Sequence, residues 1–192
     1  LGAACYGQND LVPIFVPSST PAPVTDTITK KFTNIGSDLP DFRIVTLPEG
    51  HILKKREENG GVEKTEIIKK GREITKKSLA GKNNLFIMLF NPDCQQCYMV
   101  TERILHDIEL FKKSKLLMVA RQNTGLYLQD FERVLHINKY PNIIIGLDSS
   151  NLTKKLYRYI ELPQVNVYDK NRKLIRIFEG NFSMDSLKTY IQ

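Results

Sequence analysis

The chain has 192 residues and carries 28 Lys and Arg against 21 Asp and Glu, a formal net charge of +7. That length buries a core of ordinary size without covalent staples, and its three cysteines cannot build a disulfide framework. The basic excess is scattered in short clusters ("TKK", "LKKR", "IKKG", "FKKSK", "LTKK") with no stripe of interleaved aromatics, so it reads as solvated surface and argues against nucleic acid as a partner.

In chain order, "LGAACYGQND" at 1–10 reads as the tail of an apolar targeting segment ending in small residues, cleaved after Gly7. The alternative makes Cys5 the modified cysteine of a lipoprotein, although Leu1 sits one place too far upstream for the usual spacing. Either reading places the protein outside the cytoplasm, periplasmic or outer-surface facing, with an N-terminal membrane tether in the lipidated case. Nothing else in the sequence is long and apolar enough to span a bilayer. Residues 11–35 are dense in Pro, Ser and Thr and read as an extended linker. The remaining 36–192 form one domain, with an N-terminal extension at 36–84 and a core at 85–192.

Within the extension, Phe42, Ile44, Val45 and Leu47 predict a strand closed by the turn "PEG". The charged stretch after it offers Gly60-Gly61 as a hairpin turn between short arms. From Asn84 the pattern sharpens. "NLFIMLF" is a continuous apolar run, the mark of a strand covered on both faces. "NPD" breaks it, and Cys97, Val100, Ile104, Leu105, Ile108 and Phe111 then recur at helical spacing to Lys113. "KLLMVA" predicts a second buried strand, "YLQDFERVLHI" a second amphipathic helix, and "YPNIIIGLD" a further apolar stretch. "QVNVYDKNRKLIRIFEG" is two strands around the turn "DKNRK", and Ser183 caps a closing helix. Strand, helix, strand, helix, hairpin, helix is an α/β layout with a mixed central sheet.

Cys94 and Cys97 form a CxxC pair where the first strand gives way to the first helix. A structural zinc needs four ligands and the pair supplies two; His51, His106 and His136 are not spaced as a second pair, so no metal is expected. Two small core side chains remain an alternative. Position favours chemistry instead, because backbone N–H groups and the helix dipole at a helix start stabilise a thiolate. The exposed first sulfur, Cys94, attacks; Cys97, one turn on and close enough to close a disulfide with it, resolves.

From about Leu85 to Ile191 the chain resembles a thioredoxin-fold domain, and "FNPDCQQC" is similar to the active-site stretch of extracytoplasmic proteins of the TlpA and ResA type, notably their Bacteroidetes-like variants. "ELPQVNVYDKNRKLIRIFEGNFSMDSLKTYI" resembles that family's closing unit, and "SDLPDFRIVTLPEGHIL" its opening strand and turn. The resemblance implies a three-layer thioredoxin-like fold with an N-terminal β extension. It places a cis-proline at Leu162-Pro163, opposite the CxxC, where the Leu162 backbone would meet a substrate chain, and a glycine after the last strand at Gly180. Pro163 could equally be a strand start, which proline tolerates. The substrate groove would comprise Leu162, Asp93, Gln95 and Gln96, with Phe90 and Tyr98 near it.

The departures from thioredoxins proper are specific. Their Trp before the first cysteine and their buried carboxylate six residues before it are here Asp93 and Met88, and there is no Trp in the chain. Asp93 sets a negative charge against the helix dipole beside Cys94, and Gln95-Gln96 lacks the His that helps strong oxidants hold a thiolate, so a reductant or exchange protein is expected. Asn91 stands where a peroxidase would carry Thr, and Glu102 reads as a surface residue. Two functions follow. One is a thiol–disulfide oxidoreductase, with no bound cofactor, acting on cysteine-containing protein clients and recycled by a membrane or periplasmic redox partner. The other is a client-binding or assembly module with little or no redox turnover.

Overall fold

The computed structural model describes residues 32–48 and 71–191. The targeting stretch with Cys5, the turn at Gly60-Gly61, and His51 lie outside the described residues. Strands β1 (Ile44–Thr46), β2 (Glu73–Ile74) and β3 (Leu85–Leu89) lead into helix α1 (Gln95–His106). Next come β4 (Lys115–Arg121), α2 (Gly125–Val134), β5 (Ile143–Asp148) and the short helix α3 (Thr153–Tyr157). β6 (Gln164–Tyr168), β7 (Leu174–Glu179) and α4 (Met184–Lys188) close the chain.

The strands form one mixed sheet in the order β2-β1-β5-β4-β3-β6-β7. β3, β4 and β5 run parallel at its centre, while β1, β2, β6 and β7 pair antiparallel at its flanks. β1 and β2 are the N-terminal β extension, added at one edge. The close approach of β1 to β5 depends on Gly146, where a Cβ would lie 2.7 Å from both Val45 O and Ile44 Cγ2.

All five residues of β3 are buried, which is why its sequence runs apolar without alternation. Its two faces serve two clusters. Phe86 and Met88 pack with Met118, Val165 and Val167 beneath α1, α2 and α4, with Phe111 edge-on to Phe86 at 5.2 Å. Leu85, Ile87 and Leu89 pack with Ile44, Leu79, Leu117, Leu156 and Tyr157 on the other side. Helices, sheet and the α3 side make three layers. Phe32, inside the stretch read as linker, packs against this second cluster.

The apolar spacing that predicted one helix to Lys113 is split in the structure. α1 stops at His106, with Asp107 leaving helical geometry, and Ile108–Lys113 continues as a 3-10 helix. The i, i+3 spacing of Ile108 and Phe111 buries both in either geometry, so periodicity does not register the change. α2 starts at Gly125, two residues before the expected "YLQDFERVLHI", and α3 was read only as a lysine cluster.

Candidate active site

β3 ends at Leu89, and the Phe90 N–H still donates to Val119 O at 3.1 Å. A four-residue turn follows, in which Asn91 O accepts from Cys94 N at 3.1 Å with Pro92 in the second position that proline favours. Asn91 Oδ1 also accepts from Asp93 N at 3.3 Å. The chain therefore enters α1 with Cys94 in extended geometry (φ −109°, ψ 116°) and its sulfur accepting the Cys97 N–H at 3.4 Å. Cys94 is thus the N-cap of α1, in the place Ser or Thr usually takes. The free amides and positive dipole end of the helix stand where an anionic sulfur needs donors.

Cys97 sits on the inner face of α1 with Val100 and Ile104, fully buried. Burial pushes its thiol up to about 12, against the opposing effect of the Asn91 backbone N–H, and the adjacent Cys94 acts in the same direction as burial. Cys94 is half-buried, and both are free thiols. One sulfur is accessible and capped, and the other is dry and held as a thiol.

The proline segment lies alongside. Leu89 is in register with Gln164, so Pro163 stands just past the end of β3, and the Leu162-Pro163 peptide is cis. The Gly180 N–H donates to Pro163 O at 3.0 Å. Gly180 has φ +62°, and a Cβ there would lie 2.6 Å from Glu161 Oε2 and 3.3 Å from Gln96 Nε2. The end of β7, the proline segment and the residue between the cysteines therefore converge. Leu162 is partly buried and packs against both clusters, while Asp93 and Gln95 are exposed at the turn. Phe90 is buried and packs on Phe131 at 4.9 Å, and Tyr98 meets the same ring edge-on at 6.1 Å.

Sequence reading did not single out Glu161 or Phe131. Glu161 stands two residues before the proline, a usable signal, whereas Phe131 is one more apolar residue in a helical pattern. Glu102, His106 and His136 are exposed. Among the described residues no three His, Cys, Asp or Glu side chains are grouped to hold a metal. Met88, where thioredoxins proper have a carboxylate, is completely buried.

No family model matches this sequence, and no curated protein does either. Solved structures match at low identity, three of them at 13–18%. A putative thiol:disulfide interchange protein DsbE from Chlorobium tepidum is 15% identical, with a TM-score of 0.58 over 83% of this chain and 96% of its own. The thioredoxin domain of a thiol–disulfide oxidoreductase from Bacteroides vulgatus is 13% identical, with a TM-score of 0.59 over 83% and 99%. A putative protein disulfide isomerase from Bacteroides thetaiotaomicron is 18% identical, with a TM-score of 0.57 over 82% and 87%. The fold is thioredoxin-like.

In this thioredoxin-like domain α1 is fixed at its far end as well as at its cap. Arg103 donates to Asn181 Oδ1 at 2.9 Å and to Phe182 O at 3.3 Å, and Lys188 pairs with Asp107 at 2.9 Å. The Lys188 ammonium, with His106 adding to it, holds the Asp107 carboxyl below its usual range. No helix among the described residues is long and apolar enough to cross a membrane.

Proposed function

We propose that this chain is a thiol–disulfide oxidoreductase that reduces or exchanges disulfides in exported proteins through Cys94 and Cys97. The observation that carries the reading is the asymmetry of the pair: Cys94 is only half-buried and its Sγ caps α1, while Cys97 is fully buried and its thiol is pushed up to about 12. Cys94, as thiolate, attacks one sulfur of a client disulfide, whose other sulfur leaves and takes up a proton. Cys97 then gives up its proton and attacks Cys94 Sγ, releasing the second client thiol and leaving a Cys94–Cys97 disulfide. Two electrons and two protons pass from the pair to the client, with no bound cofactor, and a membrane or periplasmic redox partner restores the dithiol. Leu162 supports the client's placement, since its backbone N–H and C=O make no backbone hydrogen bond among the described residues.

Gln95-Gln96 between the cysteines supports a reductant over a strong oxidant, because it lacks the His on which strong oxidants depend. The composition of residues 1–10 supports an extracytoplasmic location, with lipidation at Cys5 as the alternative to cleavage after Gly7.

Insulin reduction with a regenerating dithiol tests the assignment. Cys94→Ser is expected to lose turnover to background, and Cys97→Ser to accumulate mixed disulfides with client; parent-level turnover in Cys94→Ser overturns it. The direction is read from the potential of the pair, and a value near that of a strong oxidant, on the order of −120 mV, overturns the reductant reading.

A further inference from the structure

At the end of β4 lies an open pocket of about 520 Å³, lined by Arg121, Gln122, Asn123, Asn151 and Lys154. It contains two cations and three amides and no acidic side chain. Arg121, the last residue of β4, is oriented rather than loose: its Nε donates to Tyr159 Oη at 3.1 Å and its guanidinium carbon stands 5.8 Å from the Tyr159 ring centroid. That contact uses one of its five N–H donors and leaves four for a ligand. The Lys154 ammonium has no partner among the described residues.

The opposite wall is fixed by a buried carboxylate. Asp148 Oδ1 accepts from Ser150 N and Oγ at 3.2 and 2.7 Å, and Oδ2 accepts from Thr153 N and Oγ1, both at 2.8 Å. These four bonds shape the turn that presents Asn151 and Lys154, and they satisfy the Asp148 carboxylate internally. Glu161, the acid of the proline segment, is directed to Gln96 and Gly180. The result is a preformed concavity of positive charge with planar and amide donors, suited to carboxylates.

Its place relative to the redox pair gives it a use. Tyr159, which holds Arg121, stands four residues before Pro163, a separation of at most about 14 Å along the chain. A client strand lying on Leu162 spans that distance in about four or five residues. We propose that this pocket seats an Asp or Glu side chain of the client polypeptide, within about four or five residues of the cysteine under attack, so that acidic disulfide-flanking segments are the preferred substrates. This rests on the oxidoreductase reading for its placement, but the binding it describes is separable from turnover.

The test uses two synthetic peptide disulfides of the same sequence, one carrying Asp and Glu at those flanking positions and the other Asn and Gln. The parent protein is expected to reduce the acidic peptide with kcat/KM about fivefold higher, the gain residing in KM, as suits two surface charge pairs. Arg121→Ala/Lys154→Ala should abolish that preference and leave the neutral peptide unchanged, 0.5 M salt should do the same, and Arg121→Lys should keep part of it. Fluorescence anisotropy with serine versions of both peptides gives the same comparison without redox chemistry. If neither peptide is reduced but the acidic one still binds through Arg121 and Lys154, the oxidoreductase reading fails and the pocket assignment stands. Equal handling of the two peptides, or a preference that survives the double substitution, overturns the proposal. So does parent protein that sediments with anionic phosphatidylglycerol vesicles through these residues while showing no peptide preference, which would make the patch a membrane contact.

Discussion

The two faces of the central sheet are built from different chemistry. The face beneath α1, α2 and α4 is a continuous apolar layer in which Phe86, Met88, Met118, Val165 and Val167 are almost completely buried. The α3 face buries comparable apolar residues but threads polar groups among them. Tyr168 Oη and Tyr157 Oη are hydrogen-bonded at 3.3 Å, and Arg172 donates to Leu79 O and Asn83 O from a site only 8% exposed. By alternation along β6, Gln164 and Asn166 also project to that side, and neither amide atom of Asn166 has a partner among the described residues. Cys97 belongs to the dry face, where removal from water keeps its thiol protonated with no carboxylate at Met88 to share the proton. The wet face carries the clamp on Arg121 and the approach to Pro163. The buried thiol and the buried polar groups thus lie on opposite sides of the sheet.

Substitutions can sharpen or break this contrast. The largest effect is expected at Phe86→Ala, which opens a cavity in the dry face and should cost about 3–5 kcal/mol in denaturant unfolding. Arg172→Ala removes a guanidinium that joins the segment before β3 to the β6–β7 turn and strands buried carbonyls at Leu79; a loss of about 2–3 kcal/mol is expected. The tyrosine pair gives the smallest and most diagnostic effect. Tyr168→Phe alone should cost about 1 kcal/mol by leaving the Tyr157 hydroxyl unpaired, whereas Tyr157→Phe/Tyr168→Phe should return close to the parent. A double variant as unstable as the sum of the singles would mean that the hydroxyls are not each other's partners, and the contrast between the faces would weaken.

The same contrast explains what could be read from the sequence. β3 is buried on both sides and therefore announces itself as "LFIML", and the β6–β7 hairpin is marked by its turn, where Asp169 Oδ1 accepts from Asn171 N and Lys173 N. The cysteine pair was legible because a strand end, a breaking proline and a helical pattern fall within ten residues. α3 was not legible: it is five residues long, too short to show a period, and Thr153, Leu156 and Tyr157 anchor it around two lysines. The pocket at Arg121 escaped for a related reason. Its parts, at 121–123, 151 and 154, are unremarkable polar residues that become a site only when β4, the turn after β5 and Tyr159 are brought together. Scattered basic residues read as surface, and most are; Arg121 gains its orientation from Tyr159, distant in sequence.

The capping sulfur of Cys94 also determines how the proposed chemistry should be silenced. Because that atom both reacts and accepts the Cys97 amide, an alanine in its place would disable the chemistry and unfasten the first turn of α1 together, at a cost of about 1 kcal/mol. A serine hydroxyl can accept the same amide. Comparing the serine and alanine variants therefore separates the loss of a nucleophile from the loss of a helix start, and the serine protein is the sound inactive control.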